Sequence, residues 1–299
     1  MRKIPVYHID AFTTESFGGN PAGVIPHAEN LSVEEMQKIA NELNLPESAF
    51  LMPSTDPQAD FRVRYFTPME EINFCGHATV GLSWLLGTRY DWLKKADQIV
   101  FETNVGLIPV KWIKEDHQLT RVSMTQITPQ VKEVELDKDL IAELVGIKSS
   151  DIDEKFPIKL SNTGNWHLLV PVKSRVAIDS AEPQLKKLGI LNREHTISTT
   201  HLFTFETDGE FDIYTRDFAP GIGIDEDPVT GSANGALAGY LVLEGILPKS
   251  EKHQLKIGQG HAIGRPGTLY VTITSVNDKP IIEVAGSAVI TIEGNLNIF

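Results

Sequence analysis

The sequence predicts a mixed α/β protein of two similar lobes, each wrapping strands about one central helix. Three observations carry this. First, Arg64-Tyr65-Phe66-Thr67-Pro68 returns about half the chain later as Arg216-Asp217-Phe218-Ala219-Pro220. Second, each copy is preceded by a strand pattern and followed by a polar loop and a small-residue helix start. The starts are Cys75-Gly76-His77-Ala78-Thr79-Val80-Gly81-Leu82 and Thr230-Gly231-Ser232-Ala233-Asn234-Gly235-Ala236-Leu237. Arg, Phe, Pro, Gly, Ala and Leu recur in one order, and a period this long means a duplicated lobe rather than a solenoid. Third, both helices carry almost no charge before residues 88 and 244. A helix apolar all round is a buried helix. A chain of 299 residues, 41% of them hydrophobic, is long enough to fill two such lobes.

The elements follow in order. Residues 6–12 are β-like and run into the turn composition Phe17-Gly18-Gly19-Asn20-Pro21, with Val24-Ile25 returning. Ser32 and Glu35 fit a capping box. Met36, Ile39, Ala40 and Leu43 then recur at helical spacing, so 33–43 is an amphipathic helix that Pro46 ends. Strands are expected at 49–52 and 61–66, a compact apolar helix at 76–86, and strands at 99–102, 107–113 and 120–125. Residues 126–138 are polar, contain Pro129 and show no apolar period, so they read as a linker between lobes 1–128 and 129–299. The second half reads as a helix near 139–145, strands at 166–172, 201–206 and 211–216, and a helix at 231–243. Strands near 255–259, 268–275, 280–285 and 288–292 complete it.

Lys and Arg number 27 against 40 Asp and Glu, a net charge of −13. Such a surface repels phosphate backbones and anionic lipid, so nucleic-acid and membrane partners are not expected. A small anionic substrate remains compatible, because a local site can oppose the global field. The single cysteine, Cys75, forbids an intrachain disulfide and an all-cysteine metal site. The first residues lack a signal-like apolar stretch, and the longest apolar run, 235–247, is broken by Glu244 and too short to span a bilayer. A cytoplasmic location is therefore expected. The nine His show no zinc spacing. Gly221-Ile222-Gly223 lacks the third glycine of a dinucleotide fingerprint and is followed by acids, so no metal or nucleotide cofactor is expected.

Several residues carry chemistry on one reading and structure on another. Glu47, between a helix end and an apolar strand, is either an exposed acid or a cleft acid/base whose pKa burial would raise. His77 opens a helix beside Gly76, where the helix's positive end should disfavour its charged form. Cys75 is either a buried thiol or a nucleophile activated by that same end. Asp227 and Ser232 flank the second helix start and either cap it or meet a ligand. Gly76 and Gly231 either serve packing or let an anion reach the free amides of the first turn, where one helix end contributes ~0.3–2 kcal/mol. Their paired occurrence favours a carboxylate site shared by the two helix tips. Arg265, beside Gly264 and Pro266, is open between a ligand contact and a turn.

The residues that carry these patterns resemble those of the phenazine-biosynthesis PhzF-like isomerase family, within the diaminopimelate-epimerase superfamily. The carriers are Asp10-Ala11-Phe12-Thr13, Phe17-Gly18-Gly19-Asn20-Pro21-Ala22-Gly23-Val24, Glu47-Ser48-Ala49-Phe50 and Arg64-Tyr65-Phe66-Thr67-Pro68. Cys75-Gly76-His77-Ala78-Thr79 and Glu226-Asp227-Pro228-Val229-Thr230-Gly231-Ser232-Ala233-Asn234 complete the set, which spans nearly the whole chain. The resemblance implies two pseudo-symmetric lobes, each a barrel-like, mostly antiparallel sheet around a central helix. It also implies that the C-terminal ~10 residues join the first lobe and that the active site lies in the cleft between the lobes. It implies a cofactor-independent isomerase, usually a homodimer, in which a Glu moves a proton between substrate carbons. By motif that Glu falls on Glu47, and the family's His, Asp and Ser fall on His77, Asp227 and Ser232. The carboxylate-binding glycines fall on Gly76 and Gly231, and Asn20 matches a substrate contact of related epimerases. Those epimerases use two thiols. Here the second position is Thr230, which disfavours that chemistry and leaves a one-thiol racemase or a non-catalytic metabolite binder as alternatives.

Overall fold

A computed structural model describes residues 1–298. The chain divides into two compact units, one of Met1–Met124 with the strand Ala288–Ile298, the other of Thr125–Val284. In the first unit Ala288–Ile298 pairs antiparallel with Arg2–Ala11, and Arg2–Ala11 pairs antiparallel with Asn20–Ile25. Asn20–Ile25 runs parallel to Glu47–Met52, which pairs antiparallel with Phe61–Phe66. Phe61–Phe66 is parallel to Gln98–Thr103, and Gly106–Glu115 follows antiparallel. In the second unit the chain of partners is Gln130–Lys132, Lys159–Asn162, Trp166–Pro171, Thr199–Thr204, Ile213–Ala219, His253–Gln259 and Gly267–Val276. The pairings read antiparallel, antiparallel, parallel, antiparallel, parallel, antiparallel in both units. The duplication seen in the sequence is thus a duplication of topology.

The strands of each unit enclose one buried helix. The Gly76–Arg89 helix packs on the strands Arg2–Ala11, Asn20–Ile25, Glu47–Met52 and Ala288–Ile298, and it is buried on every face from His77 to Ser83. The Gly231–Leu243 helix packs likewise on Gln130–Lys132, Lys159–Asn162, Trp166–Pro171 and Gly267–Val276, buried from Ala233 to Val242. Their Ala and Gly content is what allows strands to close around them. At Gly81 an added Cβ would stand 3.3 Å from Ile9 Cγ2, and at Gly239 only 2.3 Å from Pro129 Cβ. The surface helix Val33–Leu43 begins at the expected capping box, with Glu35 N–H donating to Ser32 Oγ at 3.2 Å and Ser32 N–H to Glu35 Oε2 at 2.9 Å. It ends at Asn44 in the left-handed region, φ 50°.

The repeated Arg-x-Phe builds the same device twice. Arg64 grips Glu71 with two parallel bonds of 2.8 and 2.6 Å, and its guanidinium lies 5.4 Å from the Phe66 ring centre. Arg216 grips Glu226 at 2.9 and 2.7 Å and lies 4.9 Å from the Phe218 ring centre. In each unit the bond ties a central strand to the segment that leads into the buried helix.

Four readings of the sequence are corrected. The expected linker 126–138 contains the strand Gln130–Lys132, too short and too polar to show a period. The helices Arg175–Asp179 and Leu185–Glu194 were not expected; the first is announced only by Ser174, whose Oγ accepts from Ala177 N–H. The loop expected before the second helix includes the strand Ile224–Asp227, acidic residues whose backbone pairs with Asp217 and Ala219. The strand Lys159–Asn162 was also missed. No described helix is long and apolar enough to cross a membrane.

Candidate active site

Glu47 opens the strand Glu47–Met52, opposite Ala22 of Asn20–Ile25. Cys75 is the N-cap residue of the first buried helix and His77 its second residue. This arrangement stacks three reactive groups. His77 Nε2 lies 3.2 Å from Glu47 Oε2, and His77 Nδ1 lies 3.5 Å from Cys75 Sγ. The side chains of His77 and Glu47 are 10% and 13% exposed, so the pair sits at the edge of the interior rather than in bulk water. Glu47 Oε2 is itself closed to solvent and faces His77 Nε2. Donor atoms of Glu47, Cys75 and His77 all fall within 4.8 Å of one another, a grouping able to hold a metal ion that sequence spacing did not show because Glu47 comes from another element.

The electrostatics separate the three groups. Burial pushes the Cys75 thiol up, and the Glu47 carboxylate pushes it further, which favours the buried-thiol reading over the activated nucleophile. Burial alone would lower His77, but the adjacent Cys75 and Glu47 outweigh it and raise the imidazole well above its ordinary range. The expected disfavouring of charged His77 by the helix end is therefore overturned by its neighbours Cys75 and Glu47, the latter at 3.2 Å. The folded value exceeds the unfolded one, so the stabilisation from His77 is whole below about pH 6.5 and fades as pH rises through the folded value. A His77→Asn variant is expected to lose more thermal stability relative to the parent at pH 6 than at pH 9.5, read from paired melting curves.

Both buried helices begin without a capping side chain and without an acid in their first turn. Uncapped amides at a helix start are open to an anion. At Gly76 an added Cβ would meet only Met124 Cε at 3.9 Å, so packing does not demand glycine there and close approach by a ligand remains the better reason. Asn20, fully buried, begins the strand beside that of Glu47. Asp10, unremarked as a functional residue, accepts from Phe17 N–H at 2.9 Å and shapes the turn that delivers Asn20. Arg265 closes a turn, its N–H donating to Gly260 O at 3.0 Å.

In the second unit, Asp227 ends the strand Ile224–Asp227, and Gly231 and Ser232 begin the helix. Thr230, the counterpart of Cys75, bonds through Oγ1 to Asp227 Oδ2 at 2.5 Å and to Asp217 Oδ2 at 2.9 Å. Gln259 spans the same point, accepting from Thr230 N–H and Asn234 Nδ2. Behind Asp217 stand Thr199 at 2.6 Å and His201 at 2.9 Å, with His167 on Thr199 at 2.8 Å. Asp217, Gln259, Thr199 and His201 were not read as site residues from the sequence. Asp217 lies inside the repeat at the place of Tyr65, a tyrosine-to-aspartate change that marked it. His167 is fully buried and pushed down to about 4 by desolvation. Its folded value lies below the unfolded one, so stability is lost as pH falls from about 6.5 toward 4, by about 3 kcal/mol in total. A His167→Gln variant is expected to lose that segment of the acid-denaturation profile.

The family described as phenazine biosynthesis-like protein, PhzF, matches residues 9–294. The chain belongs to that family. Within it, an uncharacterized isomerase of Clostridium acetobutylicum is 35% identical over 99% of both chains. A trans-2,3-dihydro-3-hydroxyanthranilate isomerase of Pseudomonas aeruginosa is 33% identical over 96% of both. A crystal structure of a PhzF-family protein from Bacillus anthracis superimposes with a TM-score of 0.89, at 32% identity and complete coverage of both chains. The expected family and fold class therefore hold.

Proposed function

We propose that the chain is a cofactor-independent isomerase that moves a proton between carbons of a small cyclic or unsaturated acid. Isomerase is the activity class the family supports. The observation that carries the finer reading is the Glu47–His77 pair, a largely buried carboxylate 3.2 Å from an imidazole whose pKa is raised well above its ordinary range. Glu47 takes a proton from a substrate C–H, and the electron pair spreads into the adjacent unsaturation and the substrate carboxylate. His77 offsets the negative charge that develops. Glu47 then returns the proton to a different carbon, so no atom or electron is gained or lost. The amides at Gly76 hold the substrate carboxylate at the positive end of the helix. Gly231, Asp227 and Ser232 enter the proposal through the repeat and the family motifs, as does Asn20. Cys75, held as a neutral thiol, is a neighbour of the pair rather than the base.

The test is a panel of small conjugated acids in D2O followed by NMR, including trans-2,3-dihydro-3-hydroxyanthranilate, the substrate in the name of the Pseudomonas relative. Isomerisation of at least one acid, with deuterium at the carbon that gains the proton, is expected. Tight binding without exchange across the panel would contradict the isomerase reading and favour a metabolite-binding protein. The expected homodimer is checked by sedimentation of the same sample.

Gly76→Ala provides a second check. The added methyl occupies the approach to the amides while meeting only Met124 at 3.9 Å. A KM for the acid raised about tenfold, roughly 1.4 kcal/mol, with an unchanged melting temperature is the expected result.

A further inference from the structure

The hydroxyl of Thr230 has one hydrogen to give and lone pairs to receive with. Three groups press on it. Gln259 Nε2 lies 3.0 Å away, Asp217 Oδ2 at 2.9 Å and Asp227 Oδ2 at 2.5 Å. The Gln259 amide cannot be turned, because its Oε1 already accepts from Thr230 N–H at 3.1 Å and Asn234 Nδ2 at 2.8 Å. Nε2 therefore donates to the hydroxyl. One hydrogen remains for two carboxyl oxygens, so one of the two must bring its own.

Asp217 is the carboxylate. Its Oδ1 takes the Thr199 hydroxyl and His201 Nδ1, at 2.6 and 2.9 Å, and its Oδ2 faces the Thr230 hydroxyl. Three donors on one carboxylate favour its ionised form strongly. Burial opposes this, yet the bond from His201 keeps Asp217 below the usual carboxylate range. The Thr199 hydrogen points to Asp217, so Thr199 accepts from His167 Nδ1 at 2.8 Å. Every proton on that side is committed to Asp217. The 2.5 Å contact then fits an O–H of Asp227 donating to Thr230 Oγ1.

We propose that Asp217, acting through Thr230, is a positioning residue that keeps the Asp227 carboxyl in its protonated, hydrogen-donating form. Asp227 then meets a ligand as an acid, not as a carboxylate, and an anionic substrate is not repelled by it. The first unit has no such device: the counterparts of Asp217 and Asn234 are Tyr65 and Thr79, a neutral pair 2.6 Å apart. Charged and titratable groups near this point include Arg216, matched by Glu226, and the imidazoles of His201 and His167 behind Asp217.

The direct measurement is infrared difference spectroscopy in D2O at neutral pH, full-length protein against Asp227→Asn. The difference is expected to contain a carboxylic-acid C=O band. A carboxylate band in its place overturns the proposal. Asp217→Asn removes the demand on the Thr230 hydrogen, so the acid band is expected to convert to carboxylate at a pH lower by about one unit or more. Thr230→Val, which lacks the hydroxyl that receives the proton, is expected to move the band in the same direction. Thr230→Ser is expected to restore it. Should Asp217→Asn fail to fold, the two Thr230 variants decide the coupling, and an unshifted band in Thr230→Val contradicts it. The activity arm rests on the isomerase reading. There Asp217→Asn is expected to pull down the alkaline limb of kcat with little change in KM, whereas a merely structural role would scale activity equally at every pH. The infrared arm reads Asp227 even if no acid is isomerised, so failure of one reading is distinguishable from failure of the other.

Discussion

Glu47→Gln is expected to lower the rate of deuterium entry into the substrate about 10²–10⁴-fold, the range by which a positioned acid/base accelerates proton transfer. The amide has nearly the shape of the carboxyl, so the strand pairing of Ala22 with Glu47 persists and the acid should still bind. What is lost is the lone pair proposed to accept the proton and one of the two neighbours that raise His77. The loss should fall on kcat rather than KM, because the proposed binding puts the substrate carboxylate elsewhere, at the Gly76 amides. Circular dichroism and a melting curve accompany the kinetics. An inactive variant with unaltered melting identifies chemistry, not folding, as the defect.

Glu226→Ala is expected to be the most destabilising single change considered, by about 3–5 kcal/mol, the range for removing one partner of a buried ion pair. Arg216 is 7% exposed and Glu226 10%. The guanidinium also donates to the carbonyls of Ile178 and Ala181, so it cannot swing out to water without breaking the packing above it. Its duplicate supplies the control. Arg64 and Glu71 have the same two-bond geometry, but are 18% and 26% exposed, and water can reach the orphaned arginine. Glu71→Ala should therefore cost clearly less than Glu226→Ala in urea unfolding. Equal losses would show that burial does not decide the strength of the pair.

The two lobes were legible because the repeat places chemistry-neutral residues, Arg, Phe, Pro and Gly, at matched positions, and such positions answer to backbone geometry. The helices at 76 and 231 were legible because an uncharged run of Ala, Gly and Leu has no other stable place than the interior. The strand Gln130–Lys132 and the acidic strand Ile224–Asp227 were not, because backbone pairing holds them and their side chains carry no apolar alternation. At the site, Glu47, His77 and Cys75 could be named from motifs, but their mutual distances depend on a parallel pairing between strands separated by a helix. Those contacts overturned the expected electrostatics of His77, while burial first and Glu47 second settled Cys75 as a raised thiol. The set behind Asp227 escaped notice for a related reason: Thr199, His201, Asp217 and Gln259 come from three different strands and converge only when the sheet forms.

The most direct measurement compares two variants of the same pair of neighbours, Glu47→Gln and Cys75→Ser, by following substrate C–H exchange in D2O under saturating acid. The proton-shift account predicts a glutamine variant that has lost exchange and a serine variant that still turns over. An active glutamine variant beside a dead serine variant would contradict it and hand the proton to the sulfur.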